Sequence, residues 1–318
     1  MEAPCRNNTK YIDVERLEFT VTNACTGRCK HCSNGGNASD GESLEAGAAV
    51  VAVKRLAENF KIKSVMTFGG EPLLHVETVC KIHAAARECA IPNRQLITNG
   101  FFSRDSREID RAAEALCASG VNDVLLSVDA FHQEYIPLEH VLEFADSLLR
   151  HAVPSLRVQP AWLVNEAHDN PYNNETKRIL KIFTDKGIRA NEGNNIFPAG
   201  NALVYLAQWF SPPEEPDLSV PCGSAPYTAP LDEIGGFCIG PDGEVNLCSI
   251  SIGNIYRKDI MDIVNEYDPY DKPSTRALLR GGVAELLSYA RSLGADVDIG
   301  DCHTACNVCH KVMAAISE

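Results

Sequence analysis

Between residues 16 and 196 short apolar runs alternate with amphipathic stretches. The runs at 17–21, 64–68, 95–98, 124–128, 156–164 and 188–196 predict six strands. Five intervening stretches, near 43–60, 76–89, 106–119, 138–151 and 174–186, carry apolar residues at helical spacing. In the first these are Val50, Val53, Leu56 and Phe60, and in the fourth Leu138, Val141, Ala145 and Leu148. Ser43 reads as an N-cap, and Gly120 and Gly187 as helix ends. Parallel strands need crossovers of this length, so the repeat predicts an α/β fold with a parallel sheet and helices outside it. Ligands of such sheets bind at the C-terminal ends of the strands.

The pattern then changes. Residues 211–220 are proline-rich and acidic and read as linker. Apolar runs at 237–239 and 244–247 flank Pro241-Asp242-Gly243, a turn sequence that predicts a hairpin. Helical patterns follow around 259–264 and 282–293, and a short helix ends the chain. The expected organisation is a tail over 1–15, a core over 16–202, a linker over 203–221 and a small cysteine-rich α+β domain over 222–318.

Composition narrows the function. The chain has 318 residues, of which 45% are hydrophobic and 23% charged, as in ordinary globular proteins. No apolar run approaches the roughly 18 residues of a membrane span, and the polar first ten residues lack a secretion signal. The expectation is a cytoplasmic protein without a membrane partner. A net charge of −14 and the lack of any Lys/Arg run argue against nucleic acid. Thirteen cysteines without a secretion signal point to metal or redox chemistry. Cys80, Cys89 and Cys117 stand alone in helical patterns and read as small hydrophobes, and Cys5 in the tail as incidental.

The remaining cysteines are grouped. Cys25, Cys29 and Cys32 form C-x3-C-x2-C just after the first strand. Three thiolates on one loop can hold three corners of a four-iron cluster and leave the fourth iron open. Structural zinc is the competing reading, although it wants four closed ligands. After the second strand come Gly69, Gly70 and Glu71, paired glycines that admit close backbone approach and a carboxylate that could accept from a ligand amine. Ala130 to Tyr135 follow the fourth strand, so His132, Glu134 and Tyr135 are candidates for substrate contact or proton transfer. Cys302, Cys306 and Cys309 repeat the x3, x2 spacing, with Cys222, Cys238 and Cys248 ahead of them.

Together the cysteine loop and the Gly-Gly-Glu loop resemble the signatures of radical S-adenosylmethionine (SAM) enzymes, over about residues 16–202. The resemblance implies a partial (β/α)6 parallel barrel, a SAM-binding 4Fe–4S cluster on Cys25, Cys29 and Cys32, and SAM itself. It places Gly69, Gly70 and Glu71 at SAM, and Thr98, Asn99, Ser127 and Asp129 near its ribose and methionine moieties. The position before the third cysteine, commonly aromatic and near adenine, is His31 here. Phe197 to Ala202 resemble a Pro-x-Gly-Arg-Ala segment of some members, with Asn201 in place of the arginine. The run from Gly240 to Cys248, with Gly253-Asn254-Ile255, resembles the auxiliary-cluster extensions called SPASM or twitch domains. That implies one auxiliary 4Fe–4S cluster, on Cys222, Cys248, Cys306 and Cys309, with Cys238 and Cys302 as alternates and zinc as competitor. The implied activity is reductive SAM cleavage and hydrogen abstraction, fed by an electron donor such as flavodoxin or ferredoxin. Family analogy favours a peptide or protein side chain as substrate. Oxidation of a small metabolite and a non-catalytic iron–sulfur or zinc carrier are the alternatives.

Overall fold

The chain was described from a computed structural model, which covers residues 10–35, 41–210, 216–225, 228–248 and 250–316. Cys5 and residues 211–215 of the proline-rich run lie outside the described residues. The first strand, β1 (Ile12–Thr20), buries Ile12, Val14, Leu17 and Phe19. The alternation changes phase between Val14 and Leu17, where the ladder to a neighbouring strand is irregular. Such a slip hides the first half of the strand from a period-two reading. The strand therefore begins at Ile12, inside the stretch expected as a tail.

The β-α alternation continues through α1 (Ala46–Asn59), β2 (Ser64–Phe68), α2 (Val76–Glu88), β3 (Asn93–Thr98), α3 (Ser106–Ser119) and β4 (Asp123–Ser127). Next come a single turn, α4 (Ala130–Gln133), then α5 (Leu138–Arg150), β5 (Leu156–Gln159), β6 (Ala161–Trp162), α6 (Pro171–Asp185), β7 (Arg189–Ala190), β8 (Asn194–Asn195) and α7 (Asn201–Tyr205). The C-terminal region contains β9 (Ile234–Ile239), β10 (Glu244–Leu247), β11 (Ile250–Asn254), α8 (Ile260–Glu266), α9 (Pro273–Ser292) and α10 (Ala305–Ala315).

Local chemistry explains most of these bounds. Asp105 accepts from the Arg107 N–H at the start of α3, and Gly120 closes it with a φ of 97°. Ser43 is not a cap. It forms an isolated bridge to Thr22, and α1 starts after Glu45 without a side-chain cap. Pro160 has no N–H to give the ladder, so the fifth strand is divided into β5 and β6. The sixth is divided in step, with β7 pairing β5 and β8 pairing β6.

Among the described residues the main sheet runs β11-β10-β9-β1-β2-β3-β4-β5-β7. From β1 through β5 and β7 all pairs are parallel, which makes the partial barrel expected of the core. The smaller C-terminal region joins this sheet. β9 pairs parallel with β1, and β10 and β11 extend it antiparallel. Leu17 and Phe19 of β1 share one hydrophobic cluster with Ile234, Phe237, Val245, Leu286 and Val308. A second cluster, including Leu96, Val124, Leu126, Phe144 and Phe183, fills the space between the sheet and the outer helices.

A polar network links β3, β4, β5 and the segment after β7. Asp123 accepts from Gln95 at 2.6 Å and from Arg157, Arg157 donates to Asn191 at 3.3 Å, and Asn191 donates to Gln159 at 2.7 Å. On the other side of β2, His83 of α2 is fully buried with its Nε2 2.9 Å from Thr67 Oγ1. Burial, and then Arg94, push this histidine down to about 3. In the unfolded chain it titrates near ~6.5. As pH falls through that window the unfolded state binds a proton that the fold refuses, so stability is lost. His83→Gln keeps a partner for Thr67 without titrating. Urea midpoints should show the variant losing about 2–3 kcal/mol less than the parent between pH ~6.5 and ~4.5.

Candidate active site

A cavity of about 440 Å³ opens at the C-terminal ends of the parallel strands. It is lined by Cys25, Cys29 and Cys32, by His31 and His132, by Gly69 and Gly70, and by Thr98, Asn99, Ser127 and Asp129. The cysteine loop lies against the end of β2. The Val21 N–H donates to the Phe68 carbonyl, that of Gly70 to Thr22, and that of Glu71 to Ala24. The glycines are required by this contact. A Cβ on Gly69 would lie 2.4 Å from the Thr22 carbonyl oxygen, and one on Gly70 2.1 Å from that of Ala24.

Around the loop the cysteines are further tied down. Cys29 is buried, and Cys25 and Cys32 are partly exposed to the cavity. Cys25 Sγ accepts from the Gly27 N–H at 3.3 Å and from Asn99 Nδ2 at 3.7 Å. Burial pushes this thiol up to about 11, against the Gly27 N–H, which pulls it down. Thr26 donates to the Phe101 carbonyl at 2.7 Å. Asn201 is a contributor that sequence reasoning treated only as a substitution. Its side-chain amide donates to the Cys29 carbonyl at 3.1 Å and its N–H to the Cys32 carbonyl at 2.9 Å.

Three expected site residues lie elsewhere. Glu71 does not line the cavity and is wholly buried. Its Oε1 accepts from the Leu73 N–H and from Thr98 Oγ1, and its Oε2 from the Asn99 N–H, at 2.6–2.9 Å. Burial pushes it up to about 7 against the pull of those donors. Its carboxylate braces the loop after β3 instead of facing a ligand amine. Glu134 pairs with Lys30 at 2.8 Å, and Tyr135 is 47% exposed. The turn of α4 carries both past the cavity wall, and only His132 of that trio faces in.

Asp129, the N-cap of α4, holds His132 in place. The fully buried carboxylate accepts from the Phe131 and His132 N–H groups, from the Ala161 N–H on β6, and from His132 Nδ1 at 2.9 Å. Burial would raise its pKa, but His132 and His31 hold it well below the usual carboxylate range. Burial would likewise lower His132, yet Asp129 and Cys29 keep it well above the usual histidine range. His31 lies 5.1 Å from the Phe131 ring and 4.8 Å from that of His132, centroid to centroid. Its Nδ1 is buried without a hydrogen-bond partner, and burial pushes it down to about 4.

The C-terminal cysteines divide in two. Cys222, Cys248, Cys306 and Cys309 lie within electrostatic reach of one another: burial, then Cys222, Cys306 and Cys248, push Cys309 up to about 12. Cys238 and Cys302 stand apart. Cys238 Sγ is 3.4 Å from Thr20 Oγ1, and Cys302 is buried beside Asp301. Spacing alone could not make this separation, because it depends on how β9 and α10 are placed. Cys80, Cys89 and Cys117 are partly buried and pack as hydrophobes against the two core clusters.

Among known families, residues 19–197 match the Radical SAM superfamily. The chain belongs to that superfamily, whose members use a 4Fe–4S cluster and SAM. Among curated relatives, a "Probable GTP 3',8-cyclase" of Methanocaldococcus jannaschii is 27% identical over 122 residues, 38% of this chain and 39% of that protein. A "GTP 3',8-cyclase" of Chlorobaculum tepidum is 28% identical over 153 residues, 46% of this chain and 44% of that protein. The chain thus matches less than half the length of these relatives. Among solved structures, "Native anSMEcpe with bound AdoMet" aligns with a TM-score of 0.51 at 15% identity, over 85% of this chain and 83% of that one. A polyhistidine-tagged form of the same protein, also with bound AdoMet, aligns at 0.53 and 14% identity, over 92% and 88%. At this identity the likeness is one of fold, and its coverage exceeds the residues matched by the superfamily.

The clamp on the cysteine loop can be tested directly. Gly70→Ala is expected to cost about 1–3 kcal/mol, because the Ala24 backbone must move. Urea denaturation of the apoprotein would read that loss, and iron per chain after reconstitution should fall with it.

Proposed function

We propose that the protein cleaves SAM reductively and removes a hydrogen atom from a peptide or protein side chain. The observation that carries the first half is the clamped loop: three cysteines beside a cavity, with paired glycines pressed against the loop backbone. The residues present suit the cofactors. The cysteine loop offers three thiolates, so one iron stays open, and the cavity wall adds uncharged polar groups from Thr98, Asn99 and Ser127. A cluster held by Cys25, Cys29 and Cys32 would supply the electron for reductive cleavage of SAM, and with it the power to remove hydrogen from a substrate.

The chain's own residues bind and orient. Cys25, Cys29 and Cys32 would hold the cluster, with Asn201 and Asn99 fixing their loop. Gly69 and Gly70, which line the cavity, would border SAM, and His31 would sit at the adenine. Glu71 would act from behind, by holding Thr98 and Asn99. Cys222, Cys248, Cys306 and Cys309 would hold one auxiliary 4Fe–4S cluster, and a flavodoxin or ferredoxin would deliver electrons.

The lining favours a substrate without phosphates. Among the described residues that line the cavity there is no Lys or Arg. A nucleoside triphosphate such as GTP, which names the curated relatives, would meet no lysine or arginine there. The net charge of −14 acts in the same direction.

Reduced, reconstituted protein is expected to release 5′-deoxyadenosine from SAM, and the triple Cys25, Cys29, Cys32→Ala variant none. Iron should approach about eight per chain, against about four for Cys309→Ala, whereas zinc at the second site would leave the parent at about four. Stimulation by candidate peptides and not by GTP supports the substrate class. Turnover of GTP or of small metabolites alone would replace it.

A further inference from the structure

His132 has two nitrogens, and one of them is already committed. Nδ1 is held at 2.9 Å by Asp129 Oδ2. The ring also lies beside Cys29: the ligand atoms of Cys29, His31 and His132 all lie within 4.8 Å of one another. Asp129 is no loose partner. It is fully buried and takes two N–H groups of the α4 turn and one from β6. The imidazole is therefore fixed from β4 and β6 together and aimed across the cavity wall at a cysteine on the loop after β1.

We propose that His132, braced by Asp129, is a positioning residue that donates an N–H to Cys29 Sγ and thereby raises the electron affinity of the cluster held by Cys25, Cys29 and Cys32. This rests on the assignment of those cysteines given above. With Nδ1 committed to a carboxylate, Nε2 is the atom left for sulfur. A hydrogen bond to a ligating thiolate draws charge off the sulfur and stabilises the cluster with the extra electron, so it moves the reduction potential upward. Partners of this outer kind also orient the ligand itself. The role differs from proton transfer or substrate contact, the chemistry expected of His132 from sequence, because it operates with neither SAM nor substrate bound.

That difference defines the experiment. The protein is reconstituted anaerobically, and the first cluster is titrated by EPR-monitored reduction without SAM, in the parent, His132→Gln and His132→Phe. To keep one signal, each is also made with Cys309→Ala. The expected result is a midpoint shifted to more negative potential in the Phe variant. The Gln variant, whose amide can still donate, should fall between it and the parent. If the Phe variant fails to load iron, His132→Asn, whose shorter amide stops before Cys29, carries the same expectation of a negative shift. Unchanged midpoints in variants with full iron would overturn the proposal. So would a loss of SAM affinity with no shift, which would return His132 to a ligand-contacting role. Failure of the parent itself to form a reducible cluster would instead overturn the assignment of Cys25, Cys29 and Cys32.

Discussion

Everything at the candidate site depends on one backbone contact, the seating of the loop after β1 on the loop after β2. The N–H groups of Gly70 and Glu71 reach the carbonyls of Thr22 and Ala24, and no side chain can intervene at either glycine. Glu71 carries the constraint one strand further, because its buried carboxylate holds Thr98 and Asn99 at the end of β3. Asn99 in turn touches Thr26 and Cys25. Three consecutive strand ends are thus tied into a ring of hydrogen bonds. A buried carboxylate is costly unless its oxygens are satisfied, and here the donors that satisfy it are the residues it positions.

The parts of this architecture visible in the sequence are those with local causes. The helix 106–119 is bounded by Asp105 and Gly120, residues whose capping chemistry acts within a turn of the chain. The cysteine loop and the paired glycines are legible for the same reason, since each motif is contiguous. What was not legible comes from contacts distant in sequence. The phase slip in β1 accompanies its pairing with β9, and the division of the fifth strand at Pro160 is echoed in its partner. Glu71 and Glu134 have the chemistry of site residues, and only their surroundings show that one is enclosed and the other turned to Lys30. The closeness of His132 to Cys29 brings together two loops far apart in the chain, and no periodicity records it.

The two cysteine groups also differ in their support. The first stands on a loop seated against strand ends, with β2 and β3 behind it. The second draws Cys222 from an irregular segment, Cys248 from the turn after β10, where it takes a φ of 52°, and Cys306 and Cys309 from α10. Backbone positions away from regular strands are cheaper to adjust. In chemical terms the first group has a cavity in front of it, and the second is drawn from three separate segments.

The pairing of β1 with β9 has a consequence for how the molecule is made. Partners such as Leu17 and Phe237 lie about 220 positions apart in the chain (237 − 17). Contacts of such separation form late and slowly, since a long loop must close before they are rewarded. During synthesis the strand that leads into the cysteine loop has one edge covered by β2 long before the other is covered by β9. Until then Leu17 and Phe19 lack the C-terminal half of their hydrophobic cluster. The loop that would receive iron can seat on the loop after β2 early, while the strand leading into it gains its second neighbour only once β9 has been made.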